Sequence, residues 1–264
     1  MKVTVFTGNQ PRHLSLIASL AEVFDEVFAV QECSTVFPGQ VEDFFRKSAV
    51  MQDYFSRVIA AEDEVFGGIR FLPGNVRTLS LKMGDLNKVA LDRLAPALDV
   101  DLVVVFGASY IRAPLIDVLV ERRAVNIHMG VSPYYRGSSC NFWALYDGNP
   151  DLVGATIHML SRGLDSGAML FHALPQPQAC DPFVLGMRAV KAAHVSLVAE
   201  VASGNIFSFE PVIQDKSQEI RYTRNADFTD AVAAEYLARN LDAAWVGQRM
   251  AERVPRQLLR PRYV

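Results

Sequence analysis

The sequence predicts an α/β fold, a mostly parallel sheet flanked by helices, with a small, mainly helical C-terminal extension. Three observations lead there. Short apolar runs alternate with segments of helical periodicity from the N-terminus onward. One run, Asp101–Phe106 (DLVVVF), is almost wholly apolar, as in a strand covered on both faces. Beyond residue 203 such runs stop, and amphipathic helical spacing takes over.

The elements follow in order. Met1–Thr7 is a β-branched and aromatic run stopped by Gly8, the first strand. Residues 12–23 carry apolar side chains at helical spacing, and Glu26–Gln31 (EVFAVQ) is the second strand. Residues 41–65 repeat nearer 3.6 than 2, giving one long helix or two shorter ones, and Ile69–Leu72 forms a short strand. A helical stretch around 85–97 leads into DLVVVF, which Gly107 ends; Ala113–Glu121 is helical, with Pro114 near its first turn. Ala124–Met129 (AVNIHM) is the next strand. Val153–Leu160 alternates as a half-buried strand, with Ala168–Leu174 as its hairpin partner across Gly163 and Gly167. Phe183–Ala202 is a helix rich in Ala and Val, residues 203–224 are irregular, and Asp227–Arg253 is an amphipathic helical tail before Pro255 and Pro261. A boundary near 203–210 separates a catalytic domain, 1–203, from an extension, 204–264. Strands alternating with helices put ligands at the carboxyl ends of the strands.

Composition narrows the function. With 26 Lys+Arg against 29 Asp+Glu, the net charge of −3 lacks the basic excess of a general nucleic-acid binder. Half the residues are hydrophobic, which excludes a disordered chain. Cys33, Cys140 and Cys180 are odd in number and widely spaced, so free thiols in a reducing compartment are expected. The opening MKVTVFTGNQPRH is broken by Gly8, Asn9 and Pro11 and reads as neither signal peptide nor anchor. No run approaches the ~18–20 apolar residues that span a bilayer, so a cytoplasmic protein without membrane contact is expected.

The turn after the first strand reads TGNQPR, with one glycine and a proline, and does not make the glycine-rich loop of a dinucleotide or P-loop site. It can still offer backbone amides and Arg12 to a phosphate, or be an ordinary strand-to-helix turn. The stretch 126–167 carries more. Asn126 and His128 are two apart on one strand, on one face, at its carboxyl end before Gly130. Paired polar groups ending an apolar strand break its pattern, which marks a site.

This arrangement resembles the folate-dependent formyltransferases. Asn126-Ile-His128, the loop Pro133-Tyr-Tyr135-Arg136-Gly137, Thr156-Ile-His158 and Asp165-Ser-Gly167 match that family's elements in order and spacing over about residues 100–175. Gly130 stands where the family usually has serine, and Cys140 where it often has proline. The resemblance implies a Rossmann-like fold and N10-formyltetrahydrofolate as cosubstrate. It implies Asn126, His128 and Asp165 as catalytic residues. Asn126 and protonated His128 would stabilise the oxyanion of a tetrahedral intermediate. Asp165 would relay protons between the attacking and leaving nitrogens. It further implies folate contacts at Phe106, Gly107, Ala108 and Tyr110, and at Ser161, Arg162, Gly163 and Leu164. Substrate contacts are expected from Arg12, Tyr134, Tyr135 and Arg136, although Arg136 also reads as a loop anchor. No metal is called for: His128, His158 and Asp165 lack a close-spaced ligand pair, and Asn126 is an odd neighbour for zinc.

The acceptor is read by comparison among the family's branches. Methionyl-tRNA enzymes add a C-terminal β-barrel, whereas the residues after 203 look helical and carry no basic stripe. Purine-pathway enzymes open with a phosphate loop that TGNQPR matches poorly. The expected acceptor is therefore the primary amine of a nucleotide-linked amino deoxysugar, for lipopolysaccharide or capsule. Aromatic faces come from Tyr134, Phe142, Trp143 and Tyr146, most of them shared with the core. A methionyl-tRNA or other small-amine formyltransferase, a formyltetrahydrofolate hydrolase and a non-catalytic folate binder stay as alternatives. The apolar stripe Phe228, Val232, Tyr236, Leu237, Leu241, Trp245 and Met250 on the tail points to a homodimer, unless it packs on its own domain.

Overall fold

A computed structural model describes residues 1–34 and 47–264. Its strands are β1 (Lys2–Thr7), β2 (Glu26–Cys33), β3 (Val76–Lys82), β4 (Leu102–Phe106), β5 (Val125–His128), β6 (Tyr135–Gly137), β7 (Ala155–Met159), β8 (Met169–Leu174), β9 (Arg221–Thr223) and β10 (Arg262–Tyr263). Its α-helices are α1 (Pro11–Ala21), α2 (Ala49–Phe66), α3 (Leu91–Leu98), α4 (Leu115–Glu121), α5 (Cys140–Tyr146), α6 (Pro182–Ala202), α7 (Asp230–Ala238) and α8 (Ala243–Ala251). Eight strands form one sheet in the order β10-β8-β7-β5-β4-β1-β2-β3. Only β7 opposes the common direction, pairing antiparallel with both β5 and β8.

Alternation along buried strands explains the layers. In β4, Leu102, Val104 and Phe106 join a core cluster that includes residues of α1, α2 and α6. Val103 and Val105 point the other way, into a cluster with α3 and α4. The strand is therefore apolar on both faces because helices cover both. Helix α6 is long and apolar enough to cross a membrane, but it packs against the sheet as the core's central helix. A third cluster gathers α5, the loop before β6, α7 and α8.

Several expected elements differ. Ile69–Leu72 is not a strand: Ile69 and Phe71 are exposed, and the edge strand is β3, seven residues further on. As an edge strand half bathed in solvent, β3 (VRTLSLK) can be polar, which hides it from a search for apolar runs. The helix expected over 41–65 begins at Ala49, where Ser48 caps it by accepting from Met51 N; residues 41–46 lie outside the described ones. The stretch around 85–97 is a short 3-10 turn, Leu86–Lys88, followed by α3. The tail is two helices, not one. Asn240 takes a left-handed φ of 46°, ending the first, and Asp242 caps the second by accepting from Trp245 N.

Most of the tail's apolar stripe packs on the chain itself. Tyr236 and Met250 are buried, and Phe228, Val232, Leu241 and Trp245 pack onto the third cluster. Residues 204–264 are also stitched to the rest of the chain. Strand β9 pairs with β6, and β10 joins the main sheet beside β8.

Candidate active site

The strand order reverses between β1 and β4, and the expected phosphate turn lies in that crevice. His13 fills it. A Cβ on Gly8 would come within 2.8 Å of its ring, and one on Gly107 within 2.6 Å of its Nε2. Gln10 N donates to His13 Nδ1 at 3.1 Å, while Arg12 N and Nη1 both donate to the buried Glu62 carboxylate, at 3.1 and 2.8 Å. Arg12 is therefore held by α2, through its backbone and one arm of its guanidinium.

The open site lies along the sheet, at the carboxyl ends of β4 and β5. A cavity of about 590 Å³ there is lined by Phe106–Ile111, Asn126–Met129, His158, Leu160, Ser161 and Gly163–Asp165, with Ser138 and Asn225 at its edge. Phe106, Gly107, Ala108, Tyr110, Gly163 and Leu164, the expected folate contacts, are all among its lining residues. Gly107 turns the chain out of β4 at φ 69°, a conformation costly for any side chain. Tyr110 donates to the Arg162 carbonyl at 2.9 Å, closing one wall on the other. The Arg162 guanidinium does not line the cavity: it is exposed and paired with Asp117 at 2.7 Å.

Asn126, His128 and Asp165 converge at this cavity. Their strand and loop bring His128 Nδ1 to 3.4 Å from Asp165 Oδ2, and Asn126 Nδ2 to 3.4 Å from Asp165 Oδ1. His158, paired with Asn126 across β5 and β7, donates through Nδ1 to the Met159 carbonyl at 2.9 Å. Its Nε2 is then free to accept from Asn126 Nδ2 at 3.0 Å, which fixes the amide's orientation. On its far side His128 Nε2 lies 3.5 Å from the Cys140 sulfur, whose thiol donates to the Gly137 carbonyl at 3.3 Å. Gly130 and Cys140, the two departures from the family pattern, fit each other: a Cβ on Gly130 would lie 2.5 Å from Cys140 Cβ.

Electrostatics make an ion pair. Burial opposes charge on His128, but the Asp165 carboxylate and then the Cys140 sulfur outweigh it and raise the imidazole to about 10. Burial also works against an ionised Asp165, yet His128 holds the carboxyl well below its usual range. At neutral pH the site carries an imidazolium facing a carboxylate.

The Asp165 loop is tightly constrained. Asp165 has a left-handed φ of 43°, and a Cβ on Gly167 would overlap the Met159 carbonyl oxygen, which accounts for the glycine of the Asp-x-Gly element. Gln214, from the segment beyond 203, donates through Nε2 to the carbonyls of Asp165 and Gly167, both at 2.9 Å. Glu32, fully buried at the end of β2, accepts from Ser109 N (2.7 Å), Ser109 Oγ (2.9 Å) and Gly84 N (2.8 Å), holding the opposite wall. Sequence reasoning missed Gln214, Glu32 and the Cys140 contact. A glutamate ending an otherwise apolar strand was the one available signal.

Tyr134, Tyr135 and Arg136, expected to touch substrate, are buried and do not line the cavity. Tyr134 donates to the Gln257 carbonyl at 2.9 Å, Tyr135 to Asp147 at 3.2 Å, and Arg136 pairs with Glu219 at 2.8 Å. Tyr134 and Arg136 anchor the loop to the C-terminal segment, as the anchor reading of Arg136 has it, while Tyr135 ties it to the end of α5. Among the described residues no group of three or more His, Cys, Asp or Glu is arranged to hold a metal ion.

An open α/β sheet with a convergent Asn–His–Asp set at its carboxyl edge defines the class, and the sequence match agrees with it. Residues 8–180 match the family described as formyl transferase, and the chain belongs to it. Over 76 residues it is 37% identical to a methionyl-tRNA formyltransferase of Nostoc sp. (strain PCC 7120 / SAG 25.82 / UTEX 2576), covering 29% of this chain and 22% of that protein. The fold is similar to a sugar N-formyltransferase from Shewanella sp FDAARGOS_354, with TM-score 0.52, 19% identity, and 86% and 78% of the two chains covered. It is likewise similar to an N-formyltransferase from Helicobacter canadensis in complex with folinic acid and dTDP-3-aminofucose, with TM-score 0.52, 11% identity, and 87% and 73% covered.

Proposed function

We propose that this protein transfers a formyl group from N10-formyltetrahydrofolate to the primary amine of a nucleotide-linked amino deoxysugar. The observation that carries the transfer is the meeting of Asn126, His128 and Asp165 at a 590 Å³ cavity in a chain of this family. The cavity's size and its largely apolar walls suit a pterin ring, and the loops at Phe106–Tyr110 and Ser161–Leu164 would hold the donor.

The chain's own groups suit the chemistry. The amine attacks the formyl carbon, a C–N bond forms, and the carbonyl oxygen becomes an oxyanion. Asn126 has one N–H committed to His158, while the other rests loosely on Asp165 at 3.4 Å and is the one to swing to the oxyanion. Imidazolium His128 adds its charge. The bond to the folate nitrogen then breaks, and Asp165 passes the proton lost by the amine to that leaving nitrogen. No oxidant or reductant is involved.

The sugar acceptor is read from charge and from the thiols. Net charge −3 suits a nucleotide sugar better than a tRNA, and the free thiols fit a cytoplasmic enzyme. The three arginines nearest the expected mouth are each tied to a carboxylate, so the diphosphate would take other donors. The test is turnover with linked amino sugars, free amino sugars and methionyl-tRNA. A linked sugar as best substrate supports the reading, equal rates on free and linked sugar or faster tRNA formylation overturns the acceptor, and tetrahydrofolate release without any amine identifies a hydrolase.

A further inference from the structure

Met129, which follows His128, lines two cavities. The second, of about 190 Å³, is walled by α2, α5, α6 and α7, none of which contributes to the first. Its wall is aromatic: Tyr54 lies 5.8 Å from Phe142 and 5.3 Å from Phe183 between ring centres, and Phe142 lies 4.9 Å from Tyr236. None of the described lining residues carries a charge.

Two features mark it as a binding site and not a packing fault. Tyr54 and Tyr236 line it, and neither hydroxyl has a hydrogen-bond partner among the described residues. Unpaired in a wall of aromatic side chains, both hydroxyls are available to bond a ligand. Independently, Gly186 sits inside α6, where glycine is less favourable than alanine, and a Cβ there would meet nothing within 4 Å. Packing does not require a glycine; what it leaves is room in the cavity wall. Asn141 completes the set, its Oδ1 taken by Gly154 N at 3.0 Å and its NH₂ left over.

We infer that this cavity is the acceptor subsite and seats the ring of a neutral amino deoxysugar, whose amine reaches past Met129 to His128 and Asp165. The inference rests on the formyl-transfer reading and goes beyond it by placing the acceptor. Aromatic faces match the C–H faces of a deoxyhexose, and the two phenols and the amide match its hydroxyl or acetamido groups. The volume suits one substituted six-membered ring. Without a cation in its wall it does not take a diphosphate, so the nucleotide part stays outside.

The test fills the cavity without touching the catalytic groups. Gly186→Leu puts a side chain into open space on a helix and should hold or raise Tm. For an amino-sugar acceptor, kcat/KM should fall at least about tenfold, while the Kd for tetrahydrofolate holds. Tyr54→Phe and Tyr236→Phe, which remove only hydroxyls, should each raise the acceptor KM several-fold. A chain that formylates amino sugars but is indifferent to all three substitutions overturns the subsite alone. A wild-type chain that formylates no amine in the panel overturns the formyl-transfer reading, and the subsite with it.

Discussion

Asp165→Asn is the sharpest perturbation of the site, because it removes one charge and keeps the shape. In the wild-type chain the carboxylate holds His128 at about 10, so the imidazole is fully protonated at pH 7.5. Without it only the Cys140 sulfur opposes burial, and the pKa falls. Removing the proton relay costs roughly 10²–10⁴ in turnover. Two assays read it: tetrahydrofolate release by absorbance with amine present, and NMR titration of the His128 ring. The stability contributions have opposite windows. His128, raised in the folded state, contributes fully below pH 6.5 and loses that contribution as pH climbs through about 10. Asp165, lowered in the folded state, contributes above its ordinary range near 4 and loses that contribution as pH falls through its depressed folded value. An Asp165→Asn variant whose His128 still titrates near 10, or whose turnover stays within threefold of wild type, refutes the ion-pair account.

Three further outcomes are expected. Asn126→Ala and His128→Ala should each abolish most turnover while Tm moves by only a few degrees; if both unfold, the residues are structural. Gln214→Ala frees the Asp165 and Gly167 carbonyls and should lower kcat about tenfold with faster amide exchange across 163–167, leaving the Kd for tetrahydrofolate near wild type. Glu32→Gln exchanges an acceptor of four amide or hydroxyl bonds for a weaker one and should raise the donor KM more than it lowers kcat; a selective fall in kcat contradicts its place in the folate wall.

What the sequence revealed depended on how far the deciding partner lay. Strands β1, β2, β4 and β5 were legible because parallel strands covered on both faces are apolar throughout. The polar edge strand β3 and the two- and three-residue strands β6, β9 and β10 have no such pattern, since their place comes from pairing with distant segments. In the site, Asn126 and His128 were readable from their spacing at the end of one strand, and Asp165 from the resemblance to the family. The fate of the arginines was not. Arg12 meets Glu62 fifty positions on, Arg136 meets Glu219 eighty-three on, and Arg162 meets Asp117 forty-five back. A cation read by its local loop looks free when the fold has already neutralised it. Gln214 escaped for the same reason, acting on a loop 49 residues away from inside an irregular segment.

The central claim is that Asn126, His128 and Asp165 move a formyl group between nitrogens. The most direct measurement supplies N10-formyltetrahydrofolate with an isotopically labelled formyl carbon and an amino-sugar acceptor, and follows the label by mass spectrometry. Label appearing on the amine in equal amount with tetrahydrofolate, and disappearing in Asn126→Ala, is the predicted result. Label recovered as free formate whether or not amine is present, or transfer undiminished in Asn126→Ala, contradicts it.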